Sequence, residues 1–243
     1  MISLFRKIRQ SLLAQSKIAR YTLYALGEIL LVVIGILIAL QVNNNNELNK
    51  LKAKEREQLV FVLENIKADS IKIARLTENK NRMIKIHTNL NAFIKGELAA
   101  DQMDNINRVR HIFQLETTTQ KNNPNLANEV LSQDLKKQIL EYYSATVHCE
   151  ADILRYNEAI ETVLMPFLVE KGLLNYSSLF GEKGFNIDQI NQEMFFTELK
   201  EPELQQVLFV TMLKLILTQS CERYTAVENE KLKQAIQIYL SEQ

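Results

Sequence analysis

The chain has 243 residues, of which 47% are apolar and 24% are charged, and its 29 basic side chains balance its 29 acidic ones. This composition excludes a disordered chain and is typical of a folded protein. The chain has only six glycines and three prolines and no tryptophan, while Leu, Ile, Lys, Glu and Gln are abundant. Few helix breakers among good helix formers predict long helices.

The N-terminal end carries a local excess of positive charge. Residues 1–22 contain five basic side chains and no acidic one. We expect this tail to meet anionic lipid head groups rather than nucleic acid, which would require a basic face on the folded domain. The tail could lie in the membrane interface as an amphipathic helix, or it could stay solvated and only set the topology.

Residues 23–42 are predicted to cross a membrane as one helix. At ~1.5 Å per residue, these 20 residues cover the ~30 Å hydrocarbon core of a bilayer. Only Glu28 and Gln41 within them are strongly polar. A cleaved signal peptide is the rival interpretation, but its apolar region would be shorter and would end in a small-x-small site, which is absent here. The pattern therefore favours an uncleaved anchor.

The flanking charges predict the orientation of this span. Five basic residues precede it, whereas four follow closely, namely Lys50, Lys52, Lys54 and Arg56. The positive-inside rule then favours a cytoplasmic N-terminus. We therefore expect a cytoplasmic tail (1–22), a transmembrane helix (23–42) and an extracytoplasmic domain (43–243). The predicted location is the inner membrane, with the C-terminal domain in the periplasm.

Two stretches near the N-terminus, FRKIRQ and, further on, YALGEILLVVIGILIALQVNN, carry a resemblance to a known family. They resemble the N-terminal signature of uncharacterised single-span membrane proteins of Bacteroidetes, labelled domain of unknown function 6090. The clear similarity covers residues 4–47. After the span the family commonly reads NNWNE, whereas this chain reads NNNNE, so Asn45 replaces an interfacial tryptophan anchor. The resemblance implies a single-span inner-membrane protein and implies no activity, cofactor or functional residue.

Glu28 can be interpreted in two ways. It lies about 7.5 Å inside the span, near the inner head groups, where a carboxylate costs less than at the midplane and could simply mark the boundary. Alternatively, it belongs to a helix–helix contact face. At roughly 100° per residue, one face of the span collects its polar and small residues: Tyr21, Tyr24, Glu28, Gly35 and Ala39. The Gly35-xxx-Ala39 pair would let a second helix approach closely.

The rest of the chain is predicted to be an antiparallel bundle of long helices. Apolar residues recur at spacings of three, four or seven over residues 47–95, as in a coiled coil, and form a second stripe over residues 128–169, with a short helix near 104–115 between them. Pro202 suits the first turn of a last long helix over residues 203–240. Gly96 should end the first helix, and Pro166 should kink or end the second. The fold class is therefore all-α, with one N-terminal transmembrane helix followed by this extramembrane bundle.

Three further expectations concern packing. Residues 117–125 are predicted to form a turn-rich loop. Residues 172–193 are predicted to be irregular, with Tyr176, Phe180 and Phe185 closing the end of the bundle. The apolar run Val207–Leu217 is too short for a second span, so we expect it to be the most buried part of the last helix.

The sequence contains no recognisable catalytic or cofactor motif. Neither glycine-rich phosphate loops nor HExxH, GxSxG or di-iron ExxH patterns occur. His87 falls on the first apolar stripe, where a core histidine with satisfied hydrogen bonds is expected. His148 and Asp152 lie four apart and could share a metal, but this spacing is frequent by chance. We therefore expect no enzymatic activity, no cofactor and no metal.

The two cysteines, Cys149 and Cys221, both lie on apolar stripes of predicted long helices. In an exported domain they could form a disulfide between facing helices. They could equally be two buried thiols that act as small apolar side chains. The sequence leaves both alternatives open.

These patterns favour an interaction or scaffold protein of the cell envelope. Its expected partners are the lipid bilayer and a second copy or another envelope protein, with no nucleic acid. The alternative is an extracytoplasmic ligand-sensing domain that signals through a partner protein, because the predicted inner tail is too short to hold a signalling domain.

Overall fold

The structure is a computed structural model that describes residues 18–181, 184–185 and 189–242. Residues 1–17 of the basic tail, which include the FRKIRQ segment, therefore lie outside the described residues. The chain divides into two compact units, Met1–Arg56 and Glu57–Gln243. Each unit is taken by itself below.

The first long helix, α1, spans Ile18–Ile94, and the division between the units falls within it. It contains the predicted span and the helix predicted for residues 47–95. Gly96 ends it as expected, with a φ of 74°. The Gly96 N–H donates to Phe93 O and the Glu97 N–H to Ala92 O, both at 2.9 Å, which satisfies the last carbonyls of the helix.

Within the first unit, the predicted span is uncovered. Its large apolar side chains between Leu26 and Val42 are exposed. The most apolar 18-residue stretch of the helix has no buried residue and is long enough to cross a membrane. By length and composition alone, the last helix of the chain also qualifies, although 28% of its own apolar stretch is buried.

Two further long helices build the second unit. Helix α4 (Gln133–Ala159) begins at Ser132, whose Oγ accepts from the Leu135 N–H at 3.3 Å. Helix α7 (Pro202–Ser241) confirms the predicted last helix. Shorter elements connect these helices: 3₁₀ turns Ala100–Gln102 and Ile106–Arg110, then α2 (Thr118–Asn122) and α3 (Leu126–Glu129).

The predicted helix over 128–169 begins later and continues further. A π-helical turn, Ile160–Leu164, follows α4 and leads into α5, Met165–Glu170. Pro166 therefore does not end the helix at its own position. Since a π turn bonds i to i+5 and widens the helix, it accommodates a residue that lacks an N–H. Gly172, with a φ of 64°, follows the end of α5.

The connecting segments contain more structure than their sequence predicts. Residues 117–125 include α2 instead of a plain loop, and the helix expected at 104–115 shortens to the 3₁₀ turn Ile106–Arg110. After Gly172 come a 3₁₀ turn (Tyr176–Leu179), two-residue antiparallel strands β1 (Phe180–Gly181) and β2 (Gly184–Phe185), and α6 (Gln192–Glu198). This minimal hairpin leaves the all-α fold class intact.

The prediction that three aromatic residues close the end of the bundle is wrong for Tyr176 and Phe180. Tyr176 and Phe180 are 75% and 60% exposed and pack edge to face on each other. The side chain of Phe185 lies outside the described part of the chain. Helix α6 supplies the inward-facing rings instead: Phe195 is fully buried, and the ring of Phe196 lies 4.8 Å from that of Phe93.

The core of the second unit consists of two apolar clusters. One contains Leu59, Ile66 and Leu232, and the other contains Met83, Leu90 and Leu215. The predicted stripes of α1 and α4 supply much of both clusters. Helix α7 runs antiparallel to α4. Thr225 Oγ1 of α7 donates to Ala145 O of α4. One turn later on α7, Asn229 Nδ2 contacts the hydroxyl of Tyr142, which lies about one turn earlier on α4.

A layer of buried polar side chains lies between the two clusters. The fully buried Asp69 carboxylate accepts from the backbone N–H groups of Thr118 and Thr119 at 2.5 and 2.9 Å, and from the Tyr142 hydroxyl at 3.0 Å. Asn229 donates to Ile66 O at 3.2 Å. These bonds connect α1, α2, α4 and α7 and fix their register.

Candidate functional site

The predicted contact face of the span lies on one continuous helix. Tyr21 and Tyr24 are half-buried, whereas Glu28, Gly35 and Ala39 are exposed. A Cβ added at Gly35 would meet no heavy atom within 4 Å. The close packing that a small residue permits is therefore not used within the described part of this chain. That a second helix covers this face remains a prediction.

A second exposed apolar surface lies on α7. Six large apolar side chains point outward from this helix, with spacings of one to seven residues that keep them on one face. They are Phe209, Leu213, Ile216, Leu217, Tyr224 and Val227. We call this set the α7 outer face. Its side chains are each about half exposed, and together they form an apolar patch of the size that often marks an interaction site.

The α7 outer face contradicts the prediction that Val207–Leu217 is the most buried part of the last helix. Within that run only Leu208, Thr211 and Leu215 are buried. The reason is that an apolar run covers every side of a helix, whereas the bundle covers only one. Further along α7 the inward side is polar, and Thr225, Glu228 and Asn229 are buried while Tyr224 and Val227 are exposed.

The polar inner side of α7 includes a buried ion pair. The Lys80 ammonium group on α1 donates to the Glu222 carboxylate, and the Thr77 hydroxyl donates to the same carboxylate. The spacing of apolar residues gives no sign of this pair, because Lys80 and Glu222 are separated by 142 positions. Sequence reasoning therefore missed it.

The structure brings Cys149 and Cys221 together on facing helices. Both thiols are free, and Cys221 Sγ lies 3.9 Å from the Cys149 carbonyl oxygen. The hydrogen bond between the thiols lowers the pKa of Cys149 and raises that of Cys221. Cys149 is buried and Cys221 is half-buried, so the two thiols of the sequence analysis are neighbours within the fold. A disulfide here stays a prediction.

His87 lies in the core of the second unit. His87 is 8% exposed, and burial lowers its pKa to about 4, so the ring is neutral near pH 7. Its Nε2 atom has no hydrogen-bond partner among the residues that the structure describes, so the expected satisfied core histidine is only half right. Within those residues, no three His, Cys, Asp or Glu side chains are placed to hold a metal ion.

A groove opens beside His87, between the C-terminal part of α1 and the first turns of α7. Its volume is about 490 Å³. Leu90 and Ile94 of α1 line one side, and Leu208 and Phe209 of α7 line the other. The sequence signal for this groove is weak, because its residues are spread over two distant segments.

Comparison with known proteins gives one match. Residues 28–128 match a family described as a family of unknown function (DUF6090). The resemblance found from residues 4–47 is therefore confirmed, over a segment that begins at Glu28 and extends into α3. Residues 28–128 are thus similar to this family, and the described part of the chain has an exposed apolar helix suited to a membrane anchor or a signal. Searches of curated proteins and of solved structures found no match.

Proposed function

We propose that this protein is a membrane-anchored interaction or scaffold protein of the cell envelope, and that its partner is a second copy of itself. The proposed role is not enzymatic. The α7 outer face is the observation that carries the proposal. Six side chains that are about half exposed present on the order of 500 Å² of apolar surface, at the upper end of the patches on monomeric proteins.

The spacing of the α7 outer face favours a second copy as the occupant. Leu213 and Val227 each lie seven residues from Ser220, and Ile216 and Tyr224 each lie four residues from it. An antiparallel crossing at Ser220 would therefore place Leu213 against Val227 and Ile216 against Tyr224. Such a two-fold contact covers the same patch on both copies, and the small Ser220 side chain permits a close approach.

The proposed placement rests on the span and its flanking charges. The exposed apolar helix supports a stable anchor, and the basic residues before it support a cytoplasmic N-terminus with the second unit in the periplasm. A reporter enzyme that is active only in the periplasm, fused after Gln243, should be active. An inactive fusion that is nonetheless inserted would contradict this orientation.

Photo-crosslinking in native membranes tests the proposed partner. Tyr224, on the α7 outer face, would be replaced by p-benzoylphenylalanine in the full-length chain. Phe61, an exposed aromatic residue on α1, provides the matched control position. Irradiation should give a covalent dimer of this chain from position 224 and little from position 61. A product that contains a different protein, or no product at position 224, would contradict self-association.

A further inference from the structure

We propose that the extended segment 111–117 binds an acidic peptide of another protein by strand addition, along the edge of the segment that faces α1. The proposal goes beyond self-association, and none of the residues that carry it belongs to the α7 outer face. The segment follows the 3₁₀ turn Ile106–Arg110 and leads into α2. It lies within the second unit.

Segment 111–117 has the conformation of a β-strand with no strand beside it in the described part of the chain. Its first and last residues, His111 and Thr117, have ψ angles of 129° and 131°. Burial alternates along it with the period of two that is typical of a strand. Phe113, Leu115 and Thr117 are buried, whereas the residues between them are exposed. The segment therefore presents two backbone edges.

The edge that faces α4 is already paired. The Phe113 N–H donates to Asn157 Oδ1 at 2.9 Å, and Asn157 Nδ2 donates to Phe113 O at 2.7 Å. The Tyr156 hydroxyl donates to His111 O at 3.0 Å. The side chain of Asn157 thus takes the place of a neighbouring strand. Because the backbone groups of successive residues in a strand point to opposite edges, the next residues along the segment face the other way.

The opposite edge faces α1 and is largely unpaired. Lys72 Nζ of α1 donates to Glu116 O at 2.7 Å, which fixes the direction of this edge. The backbone N–H and C=O groups of Ile112 and Gln114, on the same edge, have no hydrogen-bond partner among the residues that the structure describes. Both residues are exposed, so water satisfies these groups. An added peptide strand would replace that water with backbone hydrogen bonds.

A groove beside this edge provides the space for the peptide. Its volume is about 360 Å³, within the ~300–1,000 Å³ typical of ligand sites. Leu76 and Asn79 of α1 line one side, and Ile112 and Gln114 line the other. An added strand would lie ~4.8 Å from the segment, above this part of α1.

The charges of the groove favour an acidic peptide. Arg75 lines the groove and has no ion pair in the described part of the chain. Lys72 is held by a carbonyl and by the Thr118 hydroxyl rather than by a carboxylate. Glu116, the acidic residue among the described lining, is already paired with Lys121. A carboxylate of the peptide would therefore meet uncompensated positive charge.

The surroundings of two titratable groups agree with a positive groove. Burial and the charge of Arg108 lower the pKa of His111. The hydrogen bond from Lys121, together with the charges of Lys121 and Lys72, lowers the pKa of Glu116. Positive charge is thus spread along the segment rather than gathered around one point. This distribution suits an extended chain better than a single small anion.

The test measures binding of a fluorescein-labelled peptide, TVEVEVT, to the full-length chain in nanodiscs of zwitterionic lipid. Fluorescence anisotropy should rise and saturate, with empty nanodiscs as the control. The peptide TVQVQVT, which has the same shape without the charges, should bind at least fivefold more weakly. No binding of TVEVEVT at concentrations up to about 1 mM would overturn the proposal, as would equal binding of the two peptides.

Two methylated forms of TVEVEVT test strand addition itself. One carries N-methyl groups on the Val amides and the other on the Glu amides, so the side chains and charges are unchanged. In an added strand, only one of these two sets of N–H groups faces segment 111–117. One methylated peptide should therefore bind at least tenfold more weakly than the other. Equal affinities of the two would overturn strand addition.

Two variants of the protein locate the site. Arg75→Gln should weaken binding of TVEVEVT roughly three- to fivefold. Its control is Arg155→Gln, at an exposed arginine of α4, which should leave binding unchanged. Gln114→Pro removes a backbone N–H from the free edge and should weaken binding at least tenfold, whereas Gln114→Ala keeps that N–H and should bind as the wild type does.

Circular dichroism checks that each variant retains its helix content. If Gln114→Pro does not fold, the two methylated peptides still decide the question with wild-type protein. A folded Gln114→Pro variant that binds as tightly as Gln114→Ala would overturn the proposal. Equal binding by Arg75→Gln and Arg155→Gln would overturn it too.

Discussion

Lys80 of α1 and Glu222 of α7 form an ion pair in the interior of the helical domain, where their side chains are 2% and 4% exposed. The Thr77 hydroxyl lies within hydrogen-bond distance of both this carboxylate and Ile73 O, and it donates its one proton to the carboxylate. Both charges have lost their hydration, so each depends on the other. The pair also fixes the register of α1 against α7, because a one-residue shift would leave two buried charges apart.

The ion pair predicts a large effect of single substitutions and a small effect of the double one. Lys80→Met leaves the Glu222 carboxylate buried and unpaired, so we expect a loss of about 3–5 kcal/mol in the free energy of unfolding. The double variant Lys80→Met/Glu222→Leu should recover most of this loss. Denaturant unfolding of the full chain in mild detergent, followed by circular dichroism, measures both.

An exposed pair provides the control for this prediction. Lys67 and Glu64 lie 2.8 Å apart on the surface of α1, so Lys67→Met should cost less than ~1 kcal/mol. A Lys80→Met variant as stable as Lys67→Met would show that the buried pair contributes nothing.

The burial of His87 predicts a pH dependence of stability. In the folded protein the pKa of His87 is about 4, below the ordinary histidine value of 6.5, because burial disfavours the charged ring. As the pH falls, His87 is therefore protonated in the unfolded chain before it is protonated in the folded protein. The contribution of His87 to the free energy of unfolding is fully present above pH 6.5 and is lost as the pH falls toward 4. Over this window the loss amounts to about 3 kcal/mol.

His87→Leu isolates this contribution from that of the carboxylates. The free energy of unfolding would be measured from pH 7.5 to 4.5 for both proteins. The wild type should lose more stability than the variant, by about 2–3 kcal/mol at the acidic end. Parallel pH profiles would contradict a neutral, buried His87.

The pairing of Cys149 and Cys221 predicts a redox effect on stability. If the second unit is periplasmic, we expect the neighbouring thiols to be oxidised to a disulfide. The two residues are 72 positions apart, so the bond would stabilise the fold by up to roughly 4 kcal/mol through the unfolded chain. Reducing agent should then lower the melting temperature of protein purified without reductant.

Thiol alkylation of the unfolded, unreduced protein provides the independent readout. A bonded pair takes up no reagent, whereas free thiols take up two equivalents. The Cys149→Ala variant should show no response of its melting temperature to reductant. Full alkylation of periplasmic protein would show two free thiols and contradict the disulfide.

Glu28 predicts an effect on association of the span rather than on insertion. Glu28→Gln keeps a hydrogen-bonding side chain but removes the charge-assisted bond to a partner helix, so association should weaken roughly threefold, equivalent to ~0.6 kcal/mol. A two-hybrid assay of transmembrane helices in a bacterial membrane measures this. Gln41→Leu, a polar position on another side of the helix, should leave association unchanged. Equal signals for Glu28→Gln and wild type would return Glu28 to a boundary role.

The sequence predicted the long helices well because their boundaries depend on local chemistry. Gly96 and Pro202 mark ends that the structure confirms, and apolar spacing correctly identified the buried sides of α1 and α4. Local rules also explain the misses. A helix can pass a proline through a π turn, as at Pro166, and no short-range pattern shows when this occurs.

The candidate surfaces depend on distant contacts and were predicted less well. The apolar run Val207–Leu217 has no spacing that separates an inner from an outer side, so only the packed bundle shows that Phe209 and Leu213 face outward. The groove at His87 likewise joins segments far apart in the chain. The contact face of the span, in contrast, was predicted from helical spacing alone, and its partner stays a prediction.

The mass of the full-length protein in mild detergent, measured by light scattering, tests self-association through the α7 outer face most directly. Wild-type protein should be a dimer of 28.1 kDa chains. Leu213→Glu should shift it toward the monomer, with a dissociation constant at least roughly tenfold higher, because a carboxylate would be buried at the contact. Leu154→Glu, at an exposed leucine on α4, should remain dimeric. A monomeric wild type, or a Leu213→Glu variant as dimeric as Leu154→Glu, would contradict the proposed contact.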